Sequence, residues 1–589
     1  MKSKQTQNAL SGKTFFTLCS LILGASLAFA QSHKISPDLE GSNASGQIDV
    51  IVQFDQVPTA DYHQKVLNLG GAIKREYTQF KGSAYSMPAS ALADLAGDPN
   101  VVYISPDRAL SSTGSSTTSS SITPINDYHP AAIDLPGVQS EGWNGAGIGV
   151  AVIDSGISAN LDITLLKVVA NQDFTGAPLG SAADQYGHGT HVAGILAGNG
   201  FSSTGALSYF TFKGVADNVN LINLRVLDQN GAGTDSEVIA AIDEAIALRS
   251  RYNIRVINLS LGRPVWESYK QDPLCQAVEQ AWKSGIVVVV AAGNYGRDNN
   301  AGTNGYGTIT APGNDPYVIT VGAMNTLGSL SRTSAVPASY SSKGPTLFDQ
   351  VIKPDLVAPG NRIISIYTAG ETLSQEYPGN EIPIFLYQNT TSTAASGNYF
   401  FLSGTSMATP MVSGAAALLL QQNSSLTPDQ VKARLMKSAF KNLAQYSSAT
   451  DPTTGITYHD QADIFTVGAG YLDIGAAMTN TDLAPSTTGS AMSPTAQVGS
   501  NGDVVMVVDG SSVLGGSSVL WGSSVVWGSS VLWGSNVSGE SVLWGSSSLE
   551  GESVLWGSSS TEADSVLWGS SVLWGSAELQ PELIVYGDN

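Results

Sequence analysis

The sequence predicts an α/β protein: a parallel sheet with helices on both faces, preceded by a small α+β domain and followed by a repetitive, β-prone C-terminal region. Three observations carry that expectation. Gly149-Val150-Ala151-Val152-Ile153-Asp154 and Ile286-Val287-Val288-Val289-Val290 are unbroken apolar runs rich in β-branched residues. Strands buried on both faces of a parallel sheet read this way. Stretches of helical character follow two polar motifs, at Val192 to Ala197 and at Met411 to Leu420. From about Ala484 the composition shifts to Ser, Thr, Pro and Gly, and a tryptophan-bearing hexad then repeats.

Taken in order, residues 1–30 read as a signal peptide. Lys2, Lys4 and Lys13 precede the apolar run Phe15 to Phe29, and Ala28-Phe29-Ala30 forms a small-residue cleavage site. The run is short for a membrane-spanning helix. A secreted protein, extracellular or at the cell surface, is therefore expected. Cys19 lies in that run, so removal of the peptide leaves Cys275 as the only cysteine and allows no intramolecular disulfide. Cys275 sits among the apolar residues of Leu274 to Trp282 and is expected to be a buried helix residue.

Residues 46–110 read as a separate small domain. Ile48 to Phe54 alternates like a strand, Ala60 to Leu69 is helical, Ala84 to Met87 and Val101 to Ile104 are further strands, and Ser90 to Ala96 is a second helix. The Ser/Thr-rich tract Ser111 to Ser121 reads as a flexible linker. The main α/β domain is placed at residues 122–480, and its last helix opens at Thr427-Pro428-Asp429-Gln430. There Thr427 caps, Pro428 takes the first position and Gln430 completes a capping box.

Residues 484–589 form a linker and the repeat. Tryptophans fall at 521, 527, 533, 544, 556, 568 and 574, within units of the type Ser-Ser-Val-Leu-Trp-Gly. Val-Leu-Trp favours strands and Gly-Ser supplies turns, so either stacked hairpins or an aggregation-prone tail fits. A row of exposed tryptophans would suit contact with carbohydrate, a partner or a cell surface.

The chain carries 27 basic against 48 acidic residues, a net charge of −21 and a pI near 4.5. That balance disfavours nucleic-acid binding and suits a soluble secreted protein. The length, 589 residues, exceeds what one core supports, so several domains are expected.

The chemistry concentrates in three motifs. Gly404-Thr405-Ser406-Met407-Ala408-Thr409-Pro410 sets a serine among small residues at the start of an apolar helical run. A serine hydroxyl is a weak nucleophile and needs a base and donors for the oxyanion it creates. His188-Gly189-Thr190-His191 reads as a helix N-terminus on a glycine-bearing turn. Asp154 ends a buried strand, where open α/β sheets carry their sites. His188 and His191 stand at i and i+3 with no Glu as in the zinc-protease helix motif, so a metal pair is disfavoured, and His191 is expected to pack in the core.

Asp154-Ser155-Gly156, His188 to His191, Ala291-Ala292-Gly293-Asn294 and Gly404 to Pro410 occur in that order. Together they resemble the subtilisin-like serine proteases (subtilases) from about Gly145 to Ala477. The resemblance implies a catalytic triad of Asp154, His188 and Ser406, with Asn294 donating to the oxyanion. It implies substrate held as an extended strand, with Ser260, Leu261 and Gly262 on one pocket wall and Ala291, Ala292 and Gly293 on the other. Gly231 and Gly233 would lie on a strand along the substrate's opposite side. The walls are apolar, so an apolar or aromatic residue is expected before the scissile bond.

The β-α-β-β-α-β-like order of residues 46–110 resembles the inhibitory propeptides of subtilases. It implies that the chain's own propeptide acts as an intramolecular inhibitor, that its tail, around Pro106 to Leu110, lies in the active site, and that self-cleavage falls within about Asp107 to Ser121. No cofactor is required for the chemistry. Structural calcium remains open: Gly198 to Lys213 is longer than the loop that often binds calcium in the family, and no ligand set, hence no metal residue, is carried over. Tyr367 to Asn398 is an insertion expected to form a surface flap near the cleft.

A secreted, self-processing serine endopeptidase acting on polypeptides is thus expected. A surface-binding protein in which the repeat is the function is the second reading. An esterase is disfavoured, because Gly-Thr-Ser-Met-Ala does not match the G-x-S-x-G elbow.

Overall fold

A computed structural model describes residues 34–40, 46–112, 129–164, 166–176, 182–451, 454–498 and 504–508, with three residue pairs beyond (512–513, 525–526, 532–533). The signal peptide, most of the Ser/Thr-rich linker and nearly all of the tryptophan repeat lie outside the described residues. The chain divides into two units, residues 1–108 and 109–589.

In the first unit, β1 (Gln47–Phe54), α1 (Ala60–Asn68), β2 (Ala72–Glu76), β3 (Gly82–Pro88), α2 (Leu92–Ala96) and β4 (Val101–Pro106) follow in order. The strands make an antiparallel sheet ordered β2-β3-β1-β4. Val50, Val52 and Phe54 on β1 pack with Tyr62 and Val66 of α1 and Leu92 and Leu95 of α2. β2 is an edge strand whose sequence, Ala-Ile-Lys-Arg-Glu, is mostly charged and carries little hydrophobic signal.

The second unit opens with β5 (Ala109–Ser112). Its main sheet contains β6 (Gly149–Asp154), β7 (Val168–Asp173), β8 (Asn220–Arg225), β10 (Ile254–Leu259), β12 (Val287–Ala291), β13 (Ile319–Asn325), β14 (Val336–Pro337) and β15 (Leu356–Pro359). The order is β14-β13-β12-β10-β6-β8-β7, with β15 also on β13, and every pairing is parallel except the edge strand β14. β6, β10, β12 and β13 are buried almost throughout, as their unbroken apolar runs require.

The flanking helices are α3 (His188–Ala197), α4 (Asp235–Tyr252), α5 (Pro273–Lys283), α6 (Thr405–Gln422) and α7 (Pro428–Ser438). α6 is buried on all sides from Thr405 to Leu420, the pattern of a helix inside a large domain. α7 starts with the capping box expected at Thr427 and Gln430. Cys275 is fully buried in α5, as expected.

The insertion is built on a small sheet of its own. It is bracketed by β16 (Ile363–Ile366) and β18 (Ala395–Leu402), which pair with each other and with β17 (Glu381–Pro383) in an antiparallel sheet ordered β16-β18-β17. The rings of Phe212, Tyr387 and Tyr399 pack edge to face, with centroids 4.7 to 5.5 Å apart. That packing joins the insertion to the long loop Gly198 to Lys213. Aromatic burial, invisible in a Thr/Ser/Gly/Asn-rich composition, supplies the order.

Candidate active site

β6 delivers Asp154 to the C-terminal edge of the sheet, and α3 begins with His188. Nδ1 of His188 and Oδ1 of Asp154 are 2.7 Å apart, and both side chains are buried. The Ser155 N–H donates to the same oxygen at 2.8 Å. The carboxylate therefore fixes the imidazole with Nδ1 as the donor, leaving Nε2 as the basic nitrogen. Nε2 is buried and makes no hydrogen bond among the described residues. Gly187 precedes His188 at φ +106°, a left-handed conformation that glycine adopts without strain.

Ser406 occupies the first turn of α6, whose N-terminal dipole favours a developing negative charge. Its neighbourhood shows a pairing that the sequence does not. Pro410 lies four residues on and has no N–H, so it cannot close the helical bond to the Ser406 carbonyl. The Ser260 hydroxyl donates to that carbonyl instead, at 2.9 Å. In return the Ser406 hydroxyl donates to the Ser260 carbonyl at 2.9 Å. Ser260, expected only as a pocket wall, thus also holds the serine's backbone carbonyl and its hydroxyl.

Asn294 follows Gly293, which stands at φ +104°. A Cβ there would meet Thr310 Cγ2 at 2.6 Å and Ser342 Oγ at 2.8 Å, so no other residue fits. The Asn294 side-chain oxygen accepts from the Thr405 N–H at 3.0 Å and from the Thr405 hydroxyl at 3.1 Å. The two contacts tie the Asn294 side chain to the residue that precedes Ser406.

The two expected pocket walls meet at a residue that the sequence reading missed. A Cβ on Gly262 would strike Thr310 Oγ1 at 2.6 Å, and Gly293 crowds the same side chain. β9 (Ala232–Thr234) and β11 (Leu261–Gly262) face each other across a gap filled by β5. Ala109, Leu110 and Ser111 pair with Thr234, Gly233 and Ala232, while Ser111 and Ser112 pair with Gly262 and Leu261. The Ser112 N–H donates to the Gly231 carbonyl at 3.1 Å. Of the expected segment, around Pro106 to Leu110, Pro106 ends β4, whereas Ala109 and Leu110 open the strand Ala109–Ser112 between β9 and β11. A central strand needs free backbone donors and acceptors on both sides, which a proline cannot supply.

His191 is not part of this cluster. Its Nε2 lies 3.1 Å from the Phe400 carbonyl, and burial lowers its pKa to about 3, so it is a neutral core residue, as expected.

Asp162, a carboxylate that the long loop contacts through Ser202, has both oxygens engaged by the protein and does not present the open oxygens of a calcium site. Asp162 already accepts the Ser202 N–H at 2.8 Å on one oxygen and the Tyr399 hydroxyl at 2.6 Å on the other. Tyr399 and Ser203 hydroxyls are 2.8 Å apart beside it. Among the described residues no cluster of His, Cys, Asp and Glu has the form of a metal site.

The model of the subtilase family matches residues 145–493. Serine protease AprX of Bacillus subtilis is 37% identical over 306 residues, covering 50% of this chain and 62% of that protein. Subtilisin E of Bacillus subtilis is 32% identical over 425 residues, covering 71% of this chain and 92% of that protein. The crystal structure of fervidolysin from Fervidobacterium pennivorans shares the fold, with a TM-score of 0.55 at 22% identity, over 76% of this chain and 62% of that one. The parallel sheet, the serine at the head of a buried helix and these similarities place the chain in the subtilase family, the subtilisin-like serine proteases.

Proposed function

We propose that this chain is a secreted serine endopeptidase that releases its own N-terminal unit and then cleaves other polypeptides. One observation carries the reading: β5 fills the gap between β9 and β11 as an extended strand, and Leu261, with which Ser112 pairs, follows Ser260, the residue bonded to Ser406. The Asp154–His188 contact at 2.7 Å supplies the matching base.

The roles are those that the family's triad chemistry implies for these residues. Ser406 Oγ attacks the scissile carbonyl and passes its proton to His188 Nε2. Asp154 holds the tautomer and stabilises the imidazolium, and His188 then protonates the leaving amine. Asn294 and the Ser406 N–H donate to the oxyanion. Substrate binds as the middle strand of a three-stranded antiparallel sheet, in the manner of β5. Leu110 is buried in that sheet, which supports an apolar side-chain preference on the substrate.

Ser112 pairs with Leu261, the residue after Ser260. An extended antiparallel chain continuing past Ser112 comes level with Ser260 one residue later. The Ser260 carbonyl holds the Ser406 hydroxyl, so the bond cut in self-processing falls just beyond Ser112, within the Asp107–Ser121 window. Residues 46–110 then act as the propeptide and inhibitor. An apolar N-terminal segment ahead of a small-residue cleavage site supports secretion.

The test is to express the protein and its Ser406→Ala variant, add casein and a serine-directed covalent inhibitor, and follow mass with time. The reading expects inhibitor-sensitive casein cleavage and loss of the N-terminal unit only when Ser406 is present. Folded protein that neither cleaves nor takes the label refutes it.

A further inference from the structure

Two chain segments leave the main sheet side by side and then part. β10 and β12 are parallel neighbours, paired from Val256 and Val287 up to Leu259 and Val290. Past that pairing the first runs on as Ser260, Leu261 and Gly262, and the second as Ala291, Ala292 and Gly293. Both are tied to the head of α6. Ser260 and Ser406 exchange two hydrogen bonds, and the Gly293 N–H donates to the Thr405 hydroxyl at 3.2 Å. The cleft between the segments therefore opens at the serine. A crevice beyond the carboxyl ends of neighbouring strands is where open α/β sheets take their ligands.

The inner end of this cleft is closed by Thr310 and Ala311. The Thr310 N–H donates to the Ala292 carbonyl at 3.0 Å. Ala311 and Arg263 each donate to the other's carbonyl, at 2.9 and 3.1 Å. One short segment is thus stitched to both walls, and the Thr310 side chain stands between them. A Cβ on Gly262 would meet its Oγ1 at 2.6 Å, and a Cβ on Gly293 would meet its Cγ2 at 2.6 Å. The hydroxyl also donates to the Ala292 carbonyl at 3.2 Å. A β-branched side chain has few rotamers, and this one is anchored at its hydroxyl. It is a fixed floor and not a movable plug.

We propose that Thr310 is a specificity-determining residue: it makes the primary pocket shallow, so that the residue before the scissile bond must be small (Gly, Ala, Ser or Thr). The proposal rests on the protease reading above and narrows its substrate class. Apolar walls alone would admit an aromatic ring; what Thr310 removes is depth. A Leu or Phe side chain must either displace it, which overpacks the floor, or stay outside the cleft. A second observation agrees. From Ser111 to Ser121 every residue is Ser, Thr or Gly. The self-processing cut inferred just beyond Ser112 therefore has only small residues to present. Leu110 lies further along β5 and is buried away from this floor's reach, so the apolar preference it supports belongs to a different substrate position.

The experiment measures kcat/KM on a matched series of peptide anilides that differ only in the residue before the scissile bond: Ala, Thr, Leu or Phe. It compares the wild type with Thr310→Gly and Thr310→Val, with Tm of each. A single methylene in such a pocket is worth roughly 10- to 200-fold. The wild type is therefore expected to favour Ala over Phe by about tenfold or more. Thr310→Gly, which deepens the cleft, should shift the Phe-to-Ala ratio toward Phe by about tenfold or more. Thr310→Val has the same shape without the hydroxyl and should retain the wild-type ratio, which separates volume from hydrogen bonding. Should Thr310→Gly not fold, Thr310→Ala decides by the same ratio. A wild type that prefers Phe or Leu overturns the proposal, as does a ratio that the Gly or Ala variant leaves unmoved. Folded protein that hydrolyses none of the peptides and takes no serine-directed label overturns the protease reading and this proposal with it; hydrolysis with the wrong preference overturns this proposal only.

Discussion

Arg263 is expected to set the spacing of the substrate channel. β11 runs directly into Arg263, and β9 runs directly into Asp235 at the start of α4. Nε of Arg263 donates to both Asp235 oxygens at 2.8 and 2.9 Å, and Nη2 donates to Asp272 at 2.7 Å. All three side chains are buried. Burial opposes the guanidinium charge, but the two carboxylates outweigh it and hold it firmly protonated. The strands on either side of β5 are therefore joined by one ion triad.

Arg263→Met keeps an apolar stem and removes the cation, leaving two buried carboxylates. Breaking a buried pair costs roughly 3–5 kcal/mol. Asp272 also caps α5 through the N–H groups of Leu274 and Cys275, which compensates part of its charge. The lower end, about 3 kcal/mol, is thus expected. Urea unfolding in the Ser406→Ala background measures it without autolysis. Adding Asp235→Asn completes a double-mutant cycle that isolates the pair.

In the active chain, Arg263→Lys loses the two-pronged contact. It should raise KM for peptides long enough to lie between β9 and β11 and leave turnover of a small ester unchanged. A loss below about 1 kcal/mol for the Met variant, the range of exposed pairs, refutes the reasoning. So does an equal effect of the Lys variant on both substrates.

Asn294→Ala should lower kcat by roughly 100- to 1000-fold, about 3–4 kcal/mol, with KM nearly constant in steady-state peptide assays. Ser260→Ala leaves the Ser406 carbonyl without its donor and should cost about 1–3 kcal/mol in unfolding of the Ser406→Ala protein; an unchanged midpoint would show that the reciprocal pair is dispensable. A strong calcium chelator should leave Tm of the mature protein unchanged by way of the Gly198–Lys213 loop, because Asp162 is filled by Ser202 and Tyr399. Tyr399→Phe, which strands one Asp162 oxygen, should lower stability by about 1–3 kcal/mol. N-terminal sequencing of the self-processed chain should find a new terminus within a few residues after Ser112.

What the sequence shows of this site is what lies close together along the chain. Asp154 ends an apolar run, His188 opens a helix and Ser406 opens another, so each is marked by its own neighbours. What supports those residues is not marked in this way. Ser260 and Ser406 are 146 positions apart, and Thr190 and Glu371 are 181 apart. Neither pairing leaves a periodicity, because each arises only when the sheet brings strand ends together. Pro410 is the partial exception. A proline inside a run otherwise helical announces an unbonded carbonyl at Ser406, though not the hydroxyl that would take it. Thr310 had no local signal at all, since its part is to fill space between two glycines.

The insertion and the long loop are separate departures from the family pattern along the chain, yet they fold as one body. The Tyr209 N–H donates to the Tyr387 carbonyl at 2.7 Å, the Asn389 N–H to the Leu207 carbonyl at 2.6 Å, and Ser208 bridges to Gln388. From that joint body Tyr399 reaches Asp162, and from the insertion's other end Glu371 reaches Thr190. β16 adds a third tie, the Ser365 hydroxyl donating to the His191 carbonyl at 2.8 Å, so two of the three, at Thr190 and His191, hold the first turn of α3. Each contact alone is modest. Because all three come from one packed segment, they form or fail together, and a change that loosens the insertion is expected to loosen the histidine helix with it.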